Sequence, residues 1–365
     1  MPPPVMVYSV GARQAGLRLD HFLKKRIPAL SRRRVQQAIQ RRVCVVRACR
    51  LAVSGGAPTL PYPVQALPSW LRCLRREPAE RVRAATMVRC GDRVVIWPEE
   101  IDEPQESWAV PVLHQDAHLL AVDKPQGLVV HSTRRRLRNT LLGVLRRGRE
   151  GENLLLAHRI DRETSGVVLL ARDRDTARAV SEAFAAGRVR KTYLAVVRGV
   201  PEPRRGMIAL AIGADRTSGI YVRRAVVPAG ARAVTEYQVL CEGSGFSLLC
   251  LRPHTGRRHQ IRVHLEAIKH PIVGDKLYGG DPRWYVRMLE RGETPALREA
   301  LLASRHLLHA AALELRHPAD GRTLSIEAPL PADIREFLEA RAPDLAAELP
   351  SVPLRFPANG FPATP

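Results

Sequence analysis

Apolar residues recur at helical spacing near the start of the chain, at Leu19, Phe22, Leu23 and Ile27. Pro28 ends that run, so a short helix is predicted there. Ser31 can cap a second helix that turns Val35, Ala38 and Ile39 to one face and Arg32, Arg33, Arg34, Arg41 and Arg42 to the others. Those arginines are hardly interleaved with acids, which favours a phosphate-binding face over a merely solvated one. Val43 to Val46 then reads as a strand. From Leu51 to Arg83, Gly55-Gly56 and prolines 58, 61, 63, 68 and 78 break any long regular element, which predicts an insertion or loop at about 51–83. Cys90-Gly91-Asp92-Arg93 reads as a turn feeding a strand at Val94 to Ile96, and the acidic, Pro-containing stretch after Pro98 places a linker at 101–107.

Beyond the linker the period changes. Leu119 to Val122 and Leu128 to Val130 flank Lys124-Pro125-Gln126-Gly127, a strand, turn, strand pattern. Val167 to Ala171 reads as a buried strand, and Thr176 to Ala186 as a helix with Gly187 at its end. Tyr193 to Val197, Thr235 to Leu240, Phe246 to Leu251 and Leu313 to Leu315 add strands. The class predicted is α+β, a long mixed, largely antiparallel sheet with packed helices. From Arg341 the prolines accumulate, and 341–365 is predicted to be a disordered tail behind a catalytic-size domain at 108–340.

Length and charge narrow the function. A chain of 365 residues suits two domains, the first at 1–100. Lys+Arg 58 against Asp+Glu 36 leaves +22 with only 5% aromatic residues, which points to a polyanionic partner such as RNA. No apolar run approaches the roughly 20 residues of a membrane span, and Met1-Pro2-Pro3-Pro4 has no signal-peptide character, so a cytoplasmic location is expected. Six cysteines without a C-x-x-C pair suggest reduced thiols and no zinc site. No phosphate-binding glycine loop, dinucleotide fingerprint, H-E-x-x-H or G-x-S-x-G is present. His254, His259 and His264, five apart, alternate faces on a strand and scatter on a helix, so no shared metal is expected.

The segment with the densest chemistry is His158-Arg159-Ile160-Asp161-Arg162-Glu163-Thr164-Ser165-Gly166, a polar loop tied by a glycine to the strand at Val167. Taken alone, Asp161 serves equally well as a turn residue bonding its own backbone. Five other segments accompany it in order: Lys124-Pro125-x-Gly127-Leu128-x-Val130-His131; Lys191-Thr192-Tyr193-Leu194-Ala195; Pro253-x-Thr255-Gly256-Arg257-x-His259-Gln260-Ile261-Arg262-Val263-His264; Pro271-Ile272-x-Gly274-Asp275-x-x-Tyr278-Gly279; and Leu308-His309-Ala310 with His317-Pro318. From about Trp108 to Leu338 this series closely resembles the RluA family of pseudouridine synthases. Arg18-Leu19-Asp20-x-Phe22-Leu23 with Ser31-Arg32 is similar to the S4 RNA-binding domain, although Val46-Arg47-Ala48 stands where that domain has a Val-Asn-Gly turn.

The resemblance implies the pseudouridine synthase fold behind a small S4-like α/β domain. It implies isomerisation of uridine within RNA, preferentially large-subunit ribosomal RNA, by a monomer needing no metal or cofactor. Transfer RNA as substrate, or a non-catalytic ribosome-assembly role, are the alternatives. By the same resemblance Asp161 matches the essential aspartate, Arg262 the arginine paired with it, and Tyr193 the tyrosine that stacks on the target base. Arg159 is expected either to fill the space of a flipped uridine or to contact a phosphate. Lys124, Arg257 and His259 are expected to be framework or RNA-contacting residues. Ile160 in place of the customary leucine conserves volume.

Overall fold

The computed structural model describes residues 5–26, 35–36, 39, 43–46, 61–62, 82–96, 106–131, 139–147, 149, 151–349 and 356. Arg32, Arg33, Arg34, Arg41 and Arg42, most of the predicted insertion and most of the predicted linker lie outside the described residues. The chain divides into two compact units, residues 1–102 and 103–365.

In the first unit, strands β1 (Val5–Ser9), β2 (Val43–Val46), β3 (Pro61–Tyr62) and β4 (Arg93–Ile96) pair antiparallel in the order β2-β4-β1-β3. Helix α1 (Leu19–Arg26) buries Leu19, Phe22 and Leu23 with Val10, Val35, Ile39, Val88 and Val94, the face that the helical spacing predicts. Pro61 and Tyr62 correct the reading of 51–83 as loop throughout. They pair with Met6 and Val5 at the sheet edge, where a proline need not donate to the ladder.

The second unit is built on a ten-stranded sheet. Its strands are β5 (Val112–Gln115), β6 (Leu119–Lys124), β7 (Leu155–Leu156), β8 (Ser165–Ala171), β9 (Arg190–Arg198), β10 (Arg205–Ile208), β13 (Thr235–Gly243), β14 (Phe246–Pro253), β15 (Leu308–Arg316) and β16 (Thr323–Glu327). The main path runs β10-β13-β14-β9-β15-β8-β6-β5, with β16 added to β15 and β7 to β8. A separate ribbon joins β11 (Ile212–Ala214) to β12 (Arg224–Val226). The helices are α2 (Leu141–Arg147), α3 (Arg174–Ala185), α4 (Gln260–Ala267), α5 (Arg283–Arg291), α6 (Pro295–Leu301), α7 (Ala332–Arg341) and α8 (Pro343–Glu348).

Strands β6 and β8 read as unbroken apolar runs because both of their faces are covered. Leu120, Val122, Val168 and Leu170 pack to one side, and Leu119, Ala121, Val167 and Leu169 to the other. Strand β8 meets β15 in parallel, the one parallel pairing among the described strands, and Gly166 makes that approach possible. Its φ is +108°, and a Cβ there would stand 2.2 Å from the Ala310 carbonyl oxygen.

Two further sequence expectations are corrected. Leu128 to Val130 is not a strand, because the carbonyls of Val129 and Val130 accept from the N–H groups of Leu141 and Leu142 at the start of α2. The predicted tail begins instead with α8, whose Pro343 occupies the first turn, where no N–H is needed, and whose Leu345 is fully buried. Beyond 349, all of the tail except Phe356 lies outside the described residues.

Candidate active site

The loop from His158 to Thr164 runs from β7 into β8, and its carbonyl groups are captured in succession. Asp161 O accepts from Thr164 N–H, Arg162 O from Gly127 N–H and Lys124 Nζ, and Glu163 O from Arg305 Nη1. Ile160 and Thr164 are buried at either side of Asp161, and Thr164 Oγ1 lies 2.9 Å from His306 Nε2. His158 is spent on structure: its Nε2 accepts from Leu169 N–H and its ring stacks on Phe184. The backbone is therefore fixed, and the Asp161 side chain, 25% exposed, is what the loop presents.

Helix α4 brings Arg262 to it. Gln260, buried at the first turn, donates to Val234 O and Thr235 Oγ1 and accepts from Thr255 Oγ1 and Arg257 N–H, which docks the helix on β13 and β14. Two residues on, Arg262 Nε and Nη2 donate to the two oxygens of fully buried Asp275 at 2.7 and 2.9 Å, and Nη1 donates to Asp161 Oδ2 at 2.9 Å. The guanidinium also lies over the Tyr278 ring, 5.0 Å from its centroid. His259, in the left-handed conformation just before α4, holds Nε2 3.9 Å from Asp161 Oδ2. Tyr278 Oη accepts from Arg224 N–H and meets His259 Nδ1 at 2.9 Å, an arrangement that suits a hydroxyl proton on Nδ1 and an N–H on Nε2 facing the carboxylate.

Electrostatics agree with the geometry. Burial by itself raises the Asp161 pKa, but the Arg262 charge, reinforced by its hydrogen bond and by Arg258, outweighs it and holds the carboxylate below its ordinary value. Burial lowers His259 to about 4, so at neutral pH its contribution is that of a neutral ring. For Arg262, burial is opposed and overcome by the Asp275 and Asp161 charges, which keep it protonated.

Asp161 and Arg262 border a cleft of about 470 Å³, also lined by Arg159, Lys191, Tyr193, Thr255, Arg257 and His259. Tyr193 lies on β9 opposite a register shift in β15 between Ala310 and Ala312. Burial and then the Asp161 charge raise its hydroxyl pKa, so the phenol keeps its proton. The structure thus brings together six of the residues singled out in the sequence: Asp161, Arg262, Tyr193, Arg257, His259 and Arg159. Arg159 stands exposed at the rim, 3.4 Å from His131 Nε2. Lys124 is not a nucleic-acid contact, which corrects that part of its expected role. Its side chain is fully buried, and Nζ donates to Pro125 O, Leu128 O and Arg162 O. Desolvation lowers it to about 7, yet three carbonyl acceptors are matched only by three ammonium protons.

Sequence reasoning missed Asp275, Arg305 and Glu163. Arg305 grips both oxygens of Asp333 and ties Glu163 O to His306 O and Leu308 O, and Lys276 Nζ meets Glu163 Oε1 at 2.9 Å. Asp275 stood in a quoted motif, but its role needs the fold to appear. His254, His259 and His264 find separate partners, namely Glu236, Tyr278, and Thr235 with Leu210 O.

The comparisons converge on one family. Residues 118–267 match the family model described as RNA pseudouridylate synthase. An uncharacterized RNA pseudouridine synthase of Chlorobaculum parvum is 31% identical over 346 residues, 92% of this chain and 97% of that one. Ribosomal large subunit pseudouridine synthase D of Nitrosomonas europaea is 32% identical over 337 residues, 89% and 85% of the two chains. The solved structure of human RNA pseudouridylate synthase domain containing 4 superposes with a TM-score of 0.50 at 32% identity, covering 63% of this chain and 92% of that one. No helix among the described residues is long and apolar enough to cross a membrane. With the motif series, the mixed sheet and these relatives in agreement, the chain belongs to the RluA family of RNA pseudouridine synthases, which are isomerases.

Proposed function

We propose that this enzyme converts particular uridines of large-subunit ribosomal RNA to pseudouridine, with Asp161 as the catalytic carboxylate. The observation that carries the reading is Asp161 itself: an ionised, reachable carboxylate whose one strong partner, Arg262, is locked by Asp275. The reaction is an isomerisation in which the bond from the sugar C1′ to N1 breaks, a bond from C1′ to C5 forms, and the proton lost at C5 is matched by one gained at N1. Nothing enters or leaves, so the protein must bind, orient and move protons. An ionised carboxylate serves either as nucleophile at C1′ or as base at C2′, and both routes begin from the state that Arg262 maintains.

Tyr193, with its neutral ring beside Asp161, is read as the platform under the base. Extruding a uridine from structured RNA costs a few kcal/mol, and rim-exposed Arg159 is placed to fill the gap or to meet a phosphate. Arg257 and His259, which also line the cleft, are read as further contacts to the RNA. The net charge of +22 suits phosphate contacts that orient the substrate, and the first unit is read as the S4-like RNA-binding module. Ribosomal RNA is preferred over transfer RNA because the Nitrosomonas europaea and Xanthomonas campestris relatives are named ribosomal large subunit pseudouridine synthase D.

The test maps pseudouridines by carbodiimide adduct and primer extension across ribosomal and transfer RNA from cells with the gene intact, deleted, or carrying Asp161→Ala. Loss of a large-subunit site in both altered strains is expected. Loss confined to transfer RNA would replace the substrate, and an unchanged map with retained RNA binding would replace catalysis by an assembly role.

A further inference from the structure

Strand β9 carries Lys191 and Tyr193 two residues apart, hence on one face of the strand, and both line the cleft. The chemistry above uses Tyr193 and leaves Lys191 without a task. Its Nζ reaches a single acceptor, the Thr255 carbonyl, at a long 3.4 Å. Among the described residues no carboxylate lies within ion-pair distance of it. Burial pushes its pKa below the ordinary lysine value, which measures how poorly the surroundings compensate the charge.

A sheltered ammonium with one weak hydrogen bond and no counter-ion is a costly arrangement if its purpose is folding alone. The two other sheltered lysines of this unit show what compensation looks like. Lys124 spends all three protons on carbonyl groups, and Lys276 has Glu163 and the Ser304 carbonyl. At Lys191 the missing partner is an anion that arrives with the ligand. A nucleotide in RNA offers one anionic group, its phosphate, since the uracil carbonyls are neutral acceptors. Position agrees: Lys191 lies on the same strand as Tyr193 and lines the same cleft, one pleat away, about 7 Å. The sugar over Asp161 and the base on Tyr193 therefore leave the backbone for Lys191. Resting on the pseudouridine synthase reading, we infer that Lys191 grips a phosphate flanking the target uridine and so sets the seat of that nucleotide in the cleft.

The experiment uses the full chain and RNA carrying one uncharged methylphosphonate immediately 5′ or 3′ of the target uridine, with Lys191→Met and Lys191→Arg as variants. On unmodified RNA, Lys191→Met should raise KM about 10- to 100-fold with kcat within a few-fold, and Lys191→Arg should recover most of the loss. One of the two methylphosphonates should cost wild type the same factor and cost Lys191→Met nothing further. The slope of log affinity against log salt should fall by about 0.7–0.9 in the methionine variant, the share of one phosphate. Lys191→Met should also melt no lower than wild type, because an uncompensated charge has been removed. If the losses from the variant and from each methylphosphonate multiply, the phosphate assignment is wrong. A loss matched instead by 4-thiouridine at the target would move the contact to the base and equally overturn it. Should wild type form no pseudouridine at all, the functional reading fails by itself, and the same series read as RNA affinity still decides the role of Lys191.

Discussion

Asp275 holds Arg262 by both oxygens, at 2.7 Å from Nε and 2.9 Å from Nη2, and leaves Nη1 aimed at Asp161. Asp275 is itself fixed, since its Oδ1 also accepts from the N–H groups of Leu277 and Tyr278. Asp161, the proposed catalytic carboxylate, is thus positioned by a second carboxylate that is itself fully buried. Asp275→Asn should lower kcat about 10- to 100-fold with little change in RNA KM. Arg262→Lys should do worse, because an ammonium cannot serve both carboxylates in this forked geometry. Arg262→Ala strands Asp275 and should cost about 3–5 kcal/mol of stability. Steady-state kinetics with urea melts check all three, and a wild-type kcat in Asp275→Asn would refute the positioning role.

Lys124 anchors the turn at Pro125 and Leu128 to the Arg162 carbonyl of the loop that carries Asp161. Lys124→Met leaves those carbonyls without their donor and should cost about 2–4 kcal/mol, with kcat falling as the loop loosens. The check pairs a denaturation midpoint with turnover. Unchanged stability with weakened RNA affinity would restore the RNA-contact role.

Gly166→Ala forces a Cβ against the Ala310 carbonyl at a φ of +108°, at the parallel junction of β8 and β15 that follows the loop carrying Asp161. Destabilisation by at least 3 kcal/mol is expected, since both strain and a clash with backbone are imposed. Thermal melting reads it directly. A melt within a degree or two of wild type would mean that the junction opens more easily than the packing implies.

Acid should weaken the fold well before its carboxylates titrate. Burial lowers His158 to about 3 and His259 and His309 to about 4, and holds His306 well below its ordinary value. An unfolded histidine titrates near 6.5. Below about pH 6.5 the unfolded chain therefore binds protons that the folded chain refuses, so stability falls as pH drops toward 4. Each such histidine contributes a slope of about 1.4 kcal/mol per pH unit. Urea melts from pH 8 to pH 5 test this, and a stability that stays level or rises below pH 6.5 would be inconsistent with buried neutral histidines.

The sheet strands at the centre of the second unit were legible because β6 and β8 are apolar on both faces, and helix α1 because its buried face keeps a 3.6-residue period. Asp161, Tyr193 and Arg262 were legible through their motifs. The pairing of Asp161 with Arg262 was legible only through the resemblance, since the two lie 101 positions apart and no local pattern joins them. Lys124 misled because its motif allowed either a framework or an RNA-contacting role, and only burial and three carbonyl partners choose the first. Arg305 gave no local signal, as its partners Glu163 and Asp333 lie 142 positions before it and 28 after it. Pro343 misled in the other direction, for a proline in a first turn starts a helix and does not break it.

The central claim is that Asp161 performs the chemistry on uridine. The most direct measurement is tritium release from large-subunit ribosomal RNA labelled at uridine C5, since forming the bond from C1′ to C5 expels that hydrogen. Excess enzyme is used in a single turnover, comparing wild type with Asp161→Asn. Wild type should release the label stoichiometrically. Asp161→Asn should release none above background while still folding and binding the RNA. Release by that variant at a rate near that of wild type would mean that Asp161 is not the catalytic group.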